Sequence, residues 1–294
     1  MRKTTTSCDV FSVVNGEYLR RPFTARAELY RRIVIHKGAD TMKKVILSAK
    51  GLCKSFSQGG EKTDVLTGLD LDVYEGDFTV IMGASGSGKS TTLYSLSGMD
   101  RATGGEVIYG GEDIVKMSEK RLAKLRAEDF GFIFQQMHLV SNLTLFENIT
   151  VPAYLDKSRT AAETDKRADE LMEKMGIAHI KTHLPGRCSG GEQQRCAIAR
   201  AVINEPKLLF ADEPTGALNK RNTTEVLDML TELNKNGQSI LMVTHDARAA
   251  CRASRIIYIE DGKVIGELSL SPYGSDDEKA RETQVNSWLA SMEW

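Results

Sequence analysis

The sequence predicts an α/β fold, and three observations predict it. Apolar runs of strand length alternate with helix-like stretches along most of the 294 residues. One such run, DFTVIMG, passes without a break into GASGSGKST at residues 83–91. A second, KLLFADE at residues 207–213, ends in two adjacent carboxylates, Asp212 and Glu213. A strand entering a glycine-rich turn and then a helix, with a second strand delivering acid nearby, frames a site for phosphate groups.

Bulk properties narrow the class. The chain is long enough for one large domain or two small ones. It is 41% hydrophobic and 27% charged, with a net charge of −1, the composition of an ordinary globular protein. That neutrality gives no electrostatic case for nucleic acid as a partner. Five cysteines, Cys8, Cys53, Cys188, Cys196 and Cys251, show no metal-ligand or redox spacing and read as reduced thiols of a cytosolic protein. Apolar runs such as residues 239–243 are too short to cross a bilayer, so any membrane spans must come from a second chain.

In chain order, residues 1–41 form an N-terminal extension unlike the rest, with eight Lys or Arg against four Asp or Glu. Its acids and its lack of an apolar core argue against a transit or signal peptide. The expectation is a native start at Met42, preceded by Lys37-Gly38-Ala39, whose codons can hold a ribosome-binding sequence; otherwise the segment is a disordered arm. Stretches 45–52, 65–74 and 106–109 read as strands of a small, partly antiparallel region.

Residues 83–91 follow. Gly83, Gly88, Lys89 and Ser90 occupy the fixed positions of G-x-x-x-x-G-K-[ST], with Ala84, Ser85, Gly86, Ser87 and Thr91 completing the loop. The glycines let backbone N–H groups wrap phosphates, Lys89 neutralises the outer ones, and Ser90 offers its hydroxyl to Mg²⁺. A helix from Lys89 to about Leu96 points its positive end at the same anion. A mostly helical insert spans about 136–200. Within it, 161–175 is amphipathic, with Ala168, Leu171, Met172 and Met175 on one face and Gly176 as its stop. Asp212 then suits the Mg²⁺ shell, while Glu213 can orient and deprotonate a water. From about Ser271 the chain turns polar, after which Val285, Trp288, Leu289 and Met292 recur at helical spacing, as in a short helix docking on the body.

The segment CSGGEQQRCAIARA, residues 188–201, decides among phosphate-loop families. With the other motifs it resembles the ATP-binding cassette (ABC) ATPases, over about residues 45–268. The resemblance implies a P-loop NTPase (RecA-like) core with a small antiparallel β subdomain and an inserted α-helical subdomain, residues 42–270, followed by the tail 271–294. It implies ATP and Mg²⁺ as cofactors. Ser189, Gly190, Gly191 and Glu192 match the signature that faces the γ-phosphate held by an opposite, identical subunit. Gln135 in FGFIFQQ matches the glutamine that reaches Mg²⁺, beside the metal positions Ser90 and Asp212. His245 in LMVTHD matches the switch histidine, and Phe56 stands where an aromatic stacks on adenine. Glu213, His245 and Lys89 take the catalytic roles.

Three positions depart from the family pattern. Cys188 replaces leucine, Glu192 stands where glutamine is commoner, and Asn219 ends the D-loop GALN where aspartate is usual. The wording LTLFENITVP with DEPTGAL resembles the branch of lipoprotein-release, macrolide-efflux, antimicrobial-peptide-resistance and cell-division ATPases. That branch implies a membrane permease partner with a large extracytoplasmic domain, and a peripheral location on the cytoplasmic face of the membrane. Export of, or resistance to, antimicrobial peptides or drugs is the leading expectation. The alternatives are a cell-division-type regulator that gates a cell-wall hydrolase without cargo, an importer ATPase, and a soluble repair or translation ATPase.

Overall fold

A computed structural model of the chain describes residues 10–14, 17–21, 43–155, 159–292 and 294. In the N-terminal extension, β1 (Val10–Val14) and β2 (Glu17–Arg21) pair as an antiparallel hairpin. Met42 and most of the segment expected to precede the native start lie outside the described residues.

The body opens with β3 (Val45–Gln58) and β4 (Glu61–Tyr74), then β5 (Phe78–Met82) and α1 (Lys89–Leu96). β6 (Gly104–Tyr109), β7 (Glu112–Asp113), α2 (Glu119–Glu128) and β8 (Phe130–Ile133) follow. Helices α3 (Leu145–Leu155), α4 (Ala161–Lys174) and α5 (Gly190–Val202) make up the insert. The chain returns through β9 (Leu208–Asp212), α6 (Lys220–Lys235), β10 (Ser239–Val243) and the short α7 (Ala247–Ala250). It closes with β11 (Arg255–Glu260), β12 (Lys263–Ser269) and α8 (Glu278–Ser291).

Two sheets result. The central one has the order β12-β11-β5-β10-β9-β8, parallel except for β12. The smaller is antiparallel, β4-β3-β6-β7. Every residue of β5, β9 and β10 is buried. This explains why their sequences read as unbroken apolar runs: a parallel sheet covered on both faces has no polar side to alternate with.

The pleat divides these strands between two cores. Leu209, Ala211, Met242 and Tyr258 face one, shared with helices of the insert, α6 and the tail. Phe210, Leu241, Val243 and Ile257 face the other, shared with α1 and the antiparallel sheet. On that second side Phe210 is ringed by aromatics, with centroids 5.1 Å from Phe130 and 5.4 Å from Phe132.

The β3–β4 hairpin is longer than the sequence suggested, running to Gln58 and back from Glu61. Its outer half carries exposed residues, and ladder hydrogen bonds do not depend on apolar alternation. The insert's α4 begins at a full capping box of Thr160 and Glu163, and buries Ala168, Leu171 and Met172. In the tail, Val285 and Leu289 of α8 are buried against the larger core, and Trp288 meets Tyr258 edge-on at 6.4 Å. Among the described residues no helix is long and apolar enough to cross a membrane.

Candidate active site

The cradle forms where β5 ends. The loop after Met82 turns into α1, whose N-cap is Gly88. Gly83 cannot carry a side chain, because a Cβ there would lie 2.1 Å from the Ile259 carbonyl oxygen and 2.7 Å from Ser87 Oγ. The Lys89 ammonium bends back over the loop and donates to the carbonyls of Gly83 and Ala84, both at 2.8 Å. Burial pulls its pKa below the ordinary lysine value, and the carboxylates of Glu213 and Asp212 offset part of that shift. Ser87 Oγ is buried inside the loop without a protein partner. A concave turn with a cation across it and a spare buried hydroxyl fits a polyphosphate.

The acids arrive from the next strand but one. Parallel pairing with β10 sets Asp212 opposite Val243 at the carboxyl ends of the strands. Asp212 Oδ1 accepts from Ser90 Oγ at 2.8 Å, and Oδ2 accepts from the Tyr94 hydroxyl at 2.6 Å. The next residue breaks the strand: Glu213 sits at φ +47°, a left-handed conformation uncommon for a residue with a Cβ. Its N–H still donates to the Val243 carbonyl at 2.9 Å, which holds the turned backbone in place. The twist sends Glu213 away from Asp212 and toward His245, whose Nδ1 lies 2.9 Å from Glu213 Oε1. A carboxylate has only acceptors, so Nδ1 carries the hydrogen. His245 is 65% exposed while the Glu213 side chain, at 14%, is largely covered, so the histidine is the outward member of the pair.

Gln135 follows β8, and its side-chain nitrogen lies 2.8 Å from where a Cβ on Gly216 would stand, beside the turn after Glu213. Ser90, Asp212 and Gln135 are oxygen donors of the hard type Mg²⁺ takes, and the first two already meet. Phe56, on β3, exposes its ring, with the Lys54 ammonium 4.8 Å from the centroid. A cavity of about 990 Å³ lies elsewhere, at the amino ends of β9 and β10 among Lys207, Ser239, Leu171 and Gln238. It has none of these groups.

The signature segment begins α5, and its contacts are with other elements than the phosphate loop. Ser189 caps α5 in a capping box, with Glu192 Oε2 accepting from Ser189 N and Oγ, both at 2.7 Å. Those bonds hold the Glu192 carboxyl below the usual glutamate range. Gly190 packs near Leu218 and Met137, while Gly191 lies so close to Asn222 that a Cβ would come within 2.6 Å of it. Asn219 caps α6, its Oδ1 accepting from the Asn222 N–H at 2.9 Å. Thus Glu192 and Asn219, two of the three departures, both serve as helix-cap residues. Cys188 is half-buried, and its thiol donates to the Leu184 carbonyl at 3.5 Å.

Two of these contacts, Tyr94 to Asp212 and the Asn219 cap, are invisible to motif reading. Tyr94 follows Ser90 by one helical turn, so only its i, i+4 spacing hinted at a shared target. Asn219 has the residue type of an N-cap, a signal overlooked beside its place in the D-loop.

The family model described as ABC transporter matches residues 66–216. The chain belongs to the ABC transporter family. This cassette is 44% identical over 223 residues to the macrolide export ATP-binding/permease protein MacB of Wolinella succinogenes, covering 76% of the chain. It spans about a third, 34%, of that relative's length. Among solved structures it is similar to the ATP-binding cassette MJ0796, a dimer in a post-hydrolysis state bound to ADP and Pi. There the TM-score is 0.72 at 36% identity, over 77% of this chain and all of the other. CbiO1 of Clostridium perfringens, part of the ABC transporter complex CbiONQ, gives 0.69 at 27% identity, over 83% of this chain and 93% of that one. The cassette is an ABC ATPase with the P-loop core expected from its sequence, and MacB belongs to the branch that LTLFENITVP pointed to.

Proposed function

We propose that this ABC ATPase closes as a head-to-tail pair of identical subunits on ATP and drives a separate membrane permease. The permease carries an extracytoplasmic domain, and the pair exports, or confers resistance to, antimicrobial peptides or drugs from the cytoplasmic face of the membrane. The observation that carries the reading is the turned Glu213, held by His245 next to a carboxylate already engaged by Ser90. Glu213 is the general base toward the attacking water; His245 holds its carboxylate in line. Lys89 balances charge on the transferred phosphoryl group, and Phe56 stacks on adenine. Ser90, Asp212 and Gln135 would hold Mg²⁺, which when bound neutralises phosphate charge. Ser189, Gly190 and Gly191 face the nucleotide of the other copy: Ser189 and Gly190 are exposed, while Gly191 seats the segment on Asn222 of α6.

The test is co-purification of the Glu213→Gln chain with ATP from native membranes. A long permease with a large outer domain is the expected partner, and challenge with peptides or macrolides then identifies the cargo. A short permease joined to a cell-wall hydrolase would replace the export reading with a cargo-free regulator. Recovery without any membrane protein would end the transporter reading.

A further inference from the structure

We propose that Tyr94 is a positioning residue that, with Ser90, clamps both oxygens of Asp212 and fixes the plane in which that carboxylate meets the nucleotide's divalent cation. The inference rests on the reading of Ser90 and Asp212 as the cation's ligands.

The geometry comes from one helix. Ser90 and Tyr94 are four residues apart on α1 and therefore share a face. Both hydroxyls end on the same carboxylate, Ser90 on Oδ1 at 2.8 Å and Tyr94 on Oδ2 at 2.6 Å. The outer torsion of an aspartate is broad and roughly two-fold, so a carboxylate held by one oxygen can still swing. Held by both, it cannot. Ser90 has a single proton, and donating it to Oδ1 leaves only lone pairs for a cation. Tyr94 spends its one proton on Oδ2 in the same way. A phenol also suits this place by charge. Lysine or arginine would grip the carboxylate as well, but would add a positive charge beside the cation site. Asp212 is 8% exposed, so an oxygen released by Tyr94 has little water to turn to.

The experiment uses the full chain in a Glu213→Gln background, which keeps ATP intact. Mn²⁺ binding in the presence of ATP is read from the free-ion paramagnetic resonance signal, and ATP binding in EDTA from fluorescence of a labelled analogue. Tyr94→Phe removes the hydroxyl and keeps the ring. Groups that hold a metal's ligands typically change metal affinity ten- to a hundredfold, so about a tenfold loss of Mn²⁺ affinity is expected, with ATP affinity in EDTA unchanged. Unaltered Mn²⁺ affinity in Tyr94→Phe overturns the proposal. So does an equal loss of ATP affinity with and without metal, which marks a folding effect; thermal melting of both chains identifies it independently. Asp212→Ala separates the levels. If it loses Mn²⁺ while Tyr94→Phe does not, only the clamp fails; if it retains Mn²⁺, the ligand assignment beneath it fails too.

Discussion

At the residue scale, the decisive feature is that Asp212 and Glu213, adjacent in sequence, are made to do different things. In an extended strand, neighbours point to opposite faces. The left-handed turn at Glu213 carries that divergence further, off the sheet and out to His245. Asp212 stays inside against Ser90 and Tyr94, while Glu213, still largely covered, turns to the exposed His245. Replacing Glu213 by glutamine keeps the length and an acceptor for His245 but removes the carboxylate proposed as the base. Loss of a positioned general base typically costs about 10²–10⁴-fold, so kcat should fall by that much, with ATP affinity within about threefold of the parent. Steady-state hydrolysis and labelled-ATP binding check it. Turnover equal to that of the parent would remove Glu213 from the role of base.

At the scale of elements, most of what was legible in the sequence was contiguous. The phosphate loop is one strand, one turn and one helix in a row, so its residue types and spacing dictate its shape. Strands β5, β9 and β10 were visible because burial on both faces leaves no polar position. The outer half of the β3–β4 hairpin was not, since its exposed residues carry no pattern; its one signal was Gly59-Gly60, both at positive φ as a two-residue hairpin turn requires. Tyr94 was missed because its partner lies 118 residues away. Asn219 stands out in the sequence only as a departure at the end of the D-loop, and the structure gives it a local task at the head of α6. Asn219→Ala should lose that cap and about 1 kcal/mol of stability, seen as a lower denaturation midpoint in urea. Asn219→Asp keeps an acceptor at the helix's positive end and should match or exceed the parent. Any change in its ATP turnover then reports the added charge and not the fold. A midpoint for Asn219→Ala equal to the parent's would show that the cap carries no stability.

At the scale of the whole molecule, the parts of the expected site lie on different elements, the loop before α1 and the start of α5. The phosphate loop, Glu213 and His245 gather at the carboxyl edge of the central sheet. Ser189 to Gly191, the other donors expected around ATP, begin a helix that packs beside α6. On the proposed reading the exposed start of that helix, already closed by its Ser189–Glu192 capping box, meets the nucleotide of another copy through the Ser189 hydroxyl and the glycine backbone. On the proposed arrangement, two identical copies placed head to tail would satisfy both ends twice and close the assembly without leaving a sticky edge. ATP should therefore act as the adhesive, and hydrolysis as the release. With Mg²⁺ and ATP, the Glu213→Gln chain should elute at twice its monomer mass of 32.5 kDa. With ADP, or with Lys89→Ala, it should elute as a monomer. Ser189→Arg places a bulky side chain where the second copy must approach, and should block pairing while labelled ATP still binds. Pairing that persists in Ser189→Arg would mean that the two copies meet through another surface.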